Sequence, residues 1–179
     1  RTAARITAFS PGQSPPPVMI ATRFTVMRPS VPEELVYACG SMEPIEKSLT
    51  LPIPPAEAFR RFTDELGAWW PLESHSVAQG TVAFEDGVIL ERAGDARHRW
   101  GEVTAWEPPG RLAFTWHPGR PAETAQAIEA RFEAEGEGTR LTLMHGGWER
   151  YGDGAERMRA QYGPGWDFVL GRFSTHAAR

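Results

Sequence analysis

Residues 101–116 read Gly101-Glu-Val-Thr-Ala-Trp-Glu-Pro-Pro-Gly-Arg-Leu-Ala-Phe-Thr-Trp116. The spacing predicts a strand, a Pro-Pro turn and a second strand, with a large aromatic near each strand's end. A second run, Gly138-Thr-Arg-Leu-Thr-Leu-Met-His-Gly-Gly-Trp148, sets Leu141 and Leu143 opposite Arg140, Thr142 and Met144, the alternation of a half-buried strand. Near the C-terminus, Trp166, Val169, Leu170 and Phe173 sit at i, i+3, i+4 and i+7, a wide apolar stripe on one helix. Tryptophan is large, rigid and usually buried. Several of them at strand ends and at a helix start imply a sheet wrapped around an apolar interior.

The neighbouring segments fill in the frame. Ile45, Lys47, Leu49 and Leu51 alternate with Glu46, Ser48 and Thr50, and Pro52, Pro54 and Pro55 end that strand. Pro55 suits the first turn of a helix, where its missing N–H costs nothing. Phe59, Phe62 and Leu66 then share a helical face, Gly67 breaks the helix, and Ala68-Trp69-Trp70-Pro71 reads as a tight corner. Further strands are expected at about 79–84, 87–93, 98–106, 111–117, 125–134 and 138–146. Asp86-Gly87 and Glu135-Gly136-Glu137-Gly138 mark turns between them. A short helix is expected over 155–162, cut by Gly163-Pro164-Gly165, before the long one from Trp166. Short loops between successive strands favour an antiparallel meander. The fold class is therefore α+β: a curved antiparallel sheet gripping a long C-terminal helix, with short helices near the start.

Composition bounds the function. The chain has 179 residues, 41% hydrophobic and 23% charged, enough for one domain with a sizeable core. A net charge of -4 with a single lysine, Lys47, argues against nucleic-acid binding. No apolar run approaches the roughly 20 residues of a membrane-spanning helix. Cys39 is the only cysteine, so no internal disulfide forms and no cysteine-based zinc site exists. A cytoplasmic location fits this usage. Residues 1–43 differ from the rest. Pro11, Pro15-Pro16-Pro17, Pro29 and Pro32 interrupt every candidate element. They are expected to be a disordered or poorly packed extension. Met42 would make a natural start, with residues 1–41 upstream sequence translated in frame. The domain itself is placed at 44–179.

The 101–116 run, Gly138-Thr139-Arg140-Leu141-Thr142-Leu143, His145-Gly146-Gly147-Trp148, Gly165-Trp166 and the opening Ile45–Trp70 segment together resemble one family. It is the domain related to the C-terminal part of the Hsp90 ATPase activator, within the START-like, Bet v 1-like helix-grip superfamily. The resemblance covers residues 44–178. It implies a seven-stranded helix-grip fold with a cavity between the sheet and the C-terminal helix. Members are mostly small bacterial proteins; others in the superfamily bind lipids, sterols or polyketides, and a few are cyclases or hydrolases. The eukaryotic activator carries a separate N-terminal domain that contributes much of its chaperone binding. The first 43 residues here cannot form one, so an Hsp90-type chaperone is not expected as a partner.

The leading expectation is a non-catalytic binding protein for a small hydrophobic or aromatic molecule. No nucleic-acid partner, membrane span, metal or cofactor is expected, and a homodimer is compatible. The wall candidates are Trp69, Trp70, Phe114, Trp116, Leu141, Leu143, Trp148, Trp166, Leu170 and Phe173. Candidate polar groups are Glu102, His117 and His145. Strand alternation groups Trp100, Glu102, Thr104 and Trp106 on one face, subject to a bulge at Gly101. Glu102 pointing inward would be a buried carboxylate needing a partner such as Arg92. Ser74 and Ser76 flank His75, but sequence adjacency is not a triad. The five histidines show no helical zinc spacing. Two other readings stay open: a cyclase- or hydrolase-type enzyme using a polar dyad in the same cavity, and a protein-interaction module.

Overall fold

The computed structural model describes residues 42–179. The expectation for residues 1–43 lies, apart from Met42 and Glu43, outside that range. Seven strands form one curved antiparallel sheet: β1 (Ile45–Leu51), β2 (Thr81–Glu85), β3 (Val88–Ala93), β4 (Ala96–Glu107), β5 (Arg111–Trp116), β6 (Gln126–Glu135) and β7 (Gly138–Gly146). Their order is β1-β7-β6-β5-β4-β3-β2, so the first strand returns to pair with the last. Leu49 faces Leu141, Phe132 faces Leu141 and Leu112 faces Ala130, which sets one continuous apolar face across the centre. This is the α+β helix-grip arrangement that the strand and helix order predicts.

Helices cover that face. Helix α1 (Pro55–Asp64) starts with Pro55 in its first turn, and the short α2 (Leu66–Trp69) follows. Phe62 meets Phe132 of β6 at 5.5 Å between ring centroids and Phe173 of the C-terminal helix at 5.1 Å. That helix, α3, runs unbroken over Ala155–Ala177 with Pro164 inside it. The predicted break at Gly163-Pro164-Gly165 is therefore corrected. An interior proline costs about 3 kcal/mol. Burying Trp166, Val169, Leu170 and Phe173, each worth about 1.5–3 kcal/mol, outweighs it.

Strand β4 departs from simple alternation at two bulges. Ile89 pairs Gly101 while Leu90 pairs Arg99, leaving Trp100 as the extra residue. Val103 pairs Phe114 while Ala105 pairs Ala113, leaving Thr104 extra. Each bulge flips the parity. Trp100 is consequently fully buried, while Glu102 lies outside, paired with Arg99. Glu102, a candidate polar cavity group of open direction, thus lies on the outer face, and Arg92 pairs with Glu85. Gly101 permits this path: a Cβ there would lie 1.7 Å from the Thr115 carbonyl oxygen.

Candidate functional site

A cavity of about 260 Å3 opens between the middle of α3, the end of β5 and the loop before β2. Trp70, Trp116 and Trp166 supply its aromatic surface, with Val77 and Val169 beside them. The three indoles pack on one another at centroid separations of 5.4 to 6.2 Å, with Trp100 behind them 5.5 Å from both Trp70 and Trp116. Such mutual contacts hold the rings in fixed orientations.

The polar side of the cavity comes from a turn. His117-Pro118-Gly119-Arg120 places proline second and Gly119, at φ +68°, third, as a type II turn requires. The Arg120 N–H donates to the His117 carbonyl at 3.0 Å. His117 Nδ1 donates in turn to the Arg120 carbonyl at 3.1 Å, which fixes that ring against the turn. Arg120 reaches into the cavity wall. Its Nη2 donates to the Tyr162 hydroxyl at 2.9 Å, and its guanidinium lies 4.9 Å over the Tyr151 ring. Burial and the neighbouring Tyr162 push the Tyr151 phenol up to about 12. It stays neutral at physiological pH.

The opposite wall is held by a residue that the sequence reading passed over. Glu91 of β3 is fully buried. Its carboxylate accepts the N–H groups of Val77 at 2.9 Å, Ala78 at 3.0 Å and Gly80 at 2.9 Å, and Trp100 Nε1 at 3.0 Å. Burial alone would raise its pKa, but the four N–H donors together hold it below the usual carboxylate value. Glu91 thus pins the loop that carries His75, Ser76 and Val77 against the cavity. Glu91 sits one residue before Arg92 in an ordinary amphipathic strand, so only the loop's three-dimensional path reveals it.

His145 projects inward from β7 and is fully buried behind Tyr162 and Trp166. Its Nδ1 accepts from Trp166 Nε1 at 2.9 Å, so the proton of the neutral ring sits on Nε2. That Nε2–H has no partner among the described residues. Burial, with the Arg120 charge adding to it, pushes the imidazole down to about 3, so the ring is neutral.

The predicted wall residues separate cleanly. Trp70, Trp116 and Trp166 line the cavity. Trp69, Phe114, Leu141, Leu143, Trp148, Leu170 and Phe173 are buried in the core away from its surface. Indole hydrogen bonds set one of the lining residues apart. Trp69 Nε1 donates to the last carbonyls of α1, Trp70 to the His75 carbonyl, Trp100 to Glu91, Trp148 to the His145 carbonyl and Trp166 to His145. Trp116 Nε1 alone among the buried indoles has no partner among the described residues. Of the polar candidates, His117 and His145 are buried close to the cavity and Glu102 is outside. His75 lines the cavity, with Nδ1 2.8 Å from the Ser74 hydroxyl.

A larger open groove of about 510 Å3 runs along the outer side of α3, past Trp69, Phe168, Arg172 and His176. Most of its charged groups are already matched: Arg172 with Glu73, His176 with Glu65 and Asp167 with Lys47, which leaves Arg179. The smaller cavity differs in keeping buried donors unmatched, and it is the better candidate for a ligand. Among the described residues no helix is long and apolar enough to cross a membrane.

The sequence pattern of the "Activator of Hsp90 ATPase homolog 1-like protein" family matches residues 52–176. The chain belongs to this Hsp90-activator-homolog family. Among solved structures, it is 31% identical to an anthrahydroquino-γ-pyrone synthase, Txn09, complexed with SUM; the match covers 77% of this chain and 99% of that one, with a TM-score of 0.52. The Aha1 dimer from Colwellia psychrerythraea matches at 18% identity over 76% of this chain and 97% of that one, with a TM-score of 0.56. CalU16 from Micromonospora echinospora matches at 22% identity over 74% of this chain and 73% of that one, with a TM-score of 0.52. The last two establish the shared fold only. Curated protein sequences contain no match. As a member of the activator-homolog family, the chain carries β2 to β7 and all but the last residue of α3 within the matched span, and the cavity lies inside it.

Proposed function

We propose that this protein binds one small aromatic or apolar molecule in the cavity between α3, the end of β5 and the loop of residues 75–77. The observation that supports this most is the aromatic surface of Trp70, Trp116 and Trp166 facing open volume. Six of the seven tryptophans are buried, and these three are the ones that a ligand could touch. Ligand pockets are mostly apolar with a few placed polar groups. At about 260 Å3 the cavity is somewhat below the ~300–1,000 Å3 of pockets for drug-sized ligands, which favours a compact ligand. Kinship to Txn09, described as a synthase of an anthrahydroquino-γ-pyrone, supports an aromatic ligand.

Tryptophan emission titrated with a panel of aromatic polyketides, sterols and fatty acids tests the proposal. Native mass spectrometry of freshly purified protein adds an independent readout, a co-purified small molecule. Saturable quenching by a panel member is expected. No response across the panel, with nothing co-purified, would refute binding.

A catalytic reading of the same cavity has one specific support. His75 lines it, oriented by the Ser74 hydroxyl, and Txn09 is described as a synthase. In that reading His75 Nε2 moves a proton on the bound molecule, the role general acid–base catalysis gives to histidine. Conversion of a bound ligand that His75→Ala abolishes without loss of binding would favour it. Unchanged ligand after long incubation would favour binding alone.

A further inference from the structure

Beside the cavity lie four buried polar atoms without partners among the described residues: Trp116 Nε1, Arg120 Nε, His145 Nε2 and the Tyr151 hydroxyl. Three are N–H donors, His145 because its Nδ1 already accepts from Trp166. The fourth, a neutral phenol beside Tyr162 and Gln126, can donate as well. Buried polar groups in folded proteins are nearly always paired, and leaving one unmade is costly. Three unmatched N–H donors and a hydroxyl that can also donate are complementary to an acceptor group from outside the chain.

Arg120 gives that acceptor a charge. Its side chain is part-buried between two tyrosine rings, with centroid distances of 4.9 and 5.9 Å. Its protein hydrogen bonds go to neutral groups, the Tyr162 hydroxyl at 2.9 Å and the Gln126 side chain at 3.5 Å. Among the described residues no carboxylate forms an ion pair with it, whereas Arg60, Arg61, Arg92, Arg111, Arg131, Arg140 and Arg172 each have one. Arg61, Arg92, Arg111 and Arg172 are partly buried, as Arg120 is, and each is matched. Arg120 is set into the cavity wall, where an unmatched cation costs most. The guanidinium fork suits a carboxylate in particular.

We infer that the cavity's ligand is an aromatic carboxylate, its ring on Trp70, Trp116 and Trp166 and its carboxylate on Arg120. This rests on the ligand-binding reading above and narrows it to a chemical class. The indole N–H of Trp116, on the same wall, donates to the second carboxylate oxygen. Arg120 is then the residue that determines specificity.

The test compares two nearly isosteric probes, 2-naphthoate and neutral 2-naphthamide, by quenching of tryptophan emission in the intact protein. The wild type is expected to prefer naphthoate by about tenfold or more, the effect of one added charge-assisted hydrogen bond. Arg120→Gln should keep amide binding and bring the two affinities together. Raising salt should weaken naphthoate more than the amide. If neither probe binds, the ligand-binding reading for compact aromatics fails, and this inference with it. If the amide binds as well as naphthoate, or Arg120→Gln retains the preference, only the carboxylate inference is overturned. Should Arg120→Gln not fold, Arg120→Lys serves: it keeps the charge but loses the fork, and a preference left unchanged would count against the inference.

Discussion

Replacing Glu91 with glutamine changes one atom of a fully buried side chain and should unsettle the cavity wall. Oε1 takes the N–H groups of Ala78 and Gly80; Oε2 takes those of Val77 and Trp100. Whichever oxygen becomes NH2, two N–H donors lose their acceptor and face another donor. An unsatisfied buried donor costs about 1–3 kcal/mol, so two cost about 2–6 kcal/mol. Glutamine also removes a buried charge and recovers part of its desolvation, leaving a net loss of about 2–4 kcal/mol. For a domain of this size that lowers Tm by about 6–12 °C. Thermal and urea unfolding followed by circular dichroism would measure it. The pH dependence separates this cause from a packing defect. The folded pKa of Glu91 lies below its unfolded value near ~4.3, so its stabilisation is present above that pH and lost as pH falls toward the folded value. The gap between wild type and Glu91→Gln should therefore narrow below about pH 4. Because Ser76 and Val77 line the cavity, probe binding should weaken too. A variant within about 0.5 kcal/mol of wild type, or a gap that ignores pH, would refute this account of Glu91.

Three further outcomes can be checked. Gly101→Ala places a Cβ against the Thr115 carbonyl and should cost roughly 3 kcal/mol or more, while Gly110→Ala, with open space around it, should stay within about 0.5 kcal/mol in the same urea titration. His145, held down to about 3, favours folding above its unfolded pKa, and that contribution falls as pH drops from ~6.5 toward 3. His145→Phe should flatten stability between those values, and NMR of the wild type should show a neutral Nε2–H imidazole at pH 5; an imidazolium there would contradict the assignment. Pro164→Ala restores a helix N–H at an exposed position of α3 and should stabilise by about 1–3 kcal/mol; a lower Tm would mean that proline shapes the helix's path.

Local patterning carried most of the fold. Leu141 and Leu143 alternate with polar neighbours, and both are fully buried in β7. Pro55 marks the start of α1, and the Trp166–Phe173 stripe lies buried along α3. These signals are short-range, because each depends on one element's period. The β4 bulges were not legible in detail. Their position depends on how both neighbouring strands hydrogen-bond, which no single strand records. One extra residue at Trp100 and another at Thr104 sent Glu102 outward and left Glu91 as the buried carboxylate. Pro164 inside α3 likewise shows tertiary burial overriding a local break signal.

The candidate site divides along the same line. Tryptophan content and placement alone point to an apolar interior, and six of the seven are buried. Which three face open volume was decided only when β5, α3 and the loop after α2 came together. The chain by itself determined the sheet, the long helix and the aromatic supply, because hydrophobic periodicity and turn chemistry are local. Tertiary structure decided which donors were left over. Whether Trp116 Nε1 and Arg120 Nε find partners depends on residues far away in the chain, and the proposed ligand class rests on those two donors, unmet among the described residues.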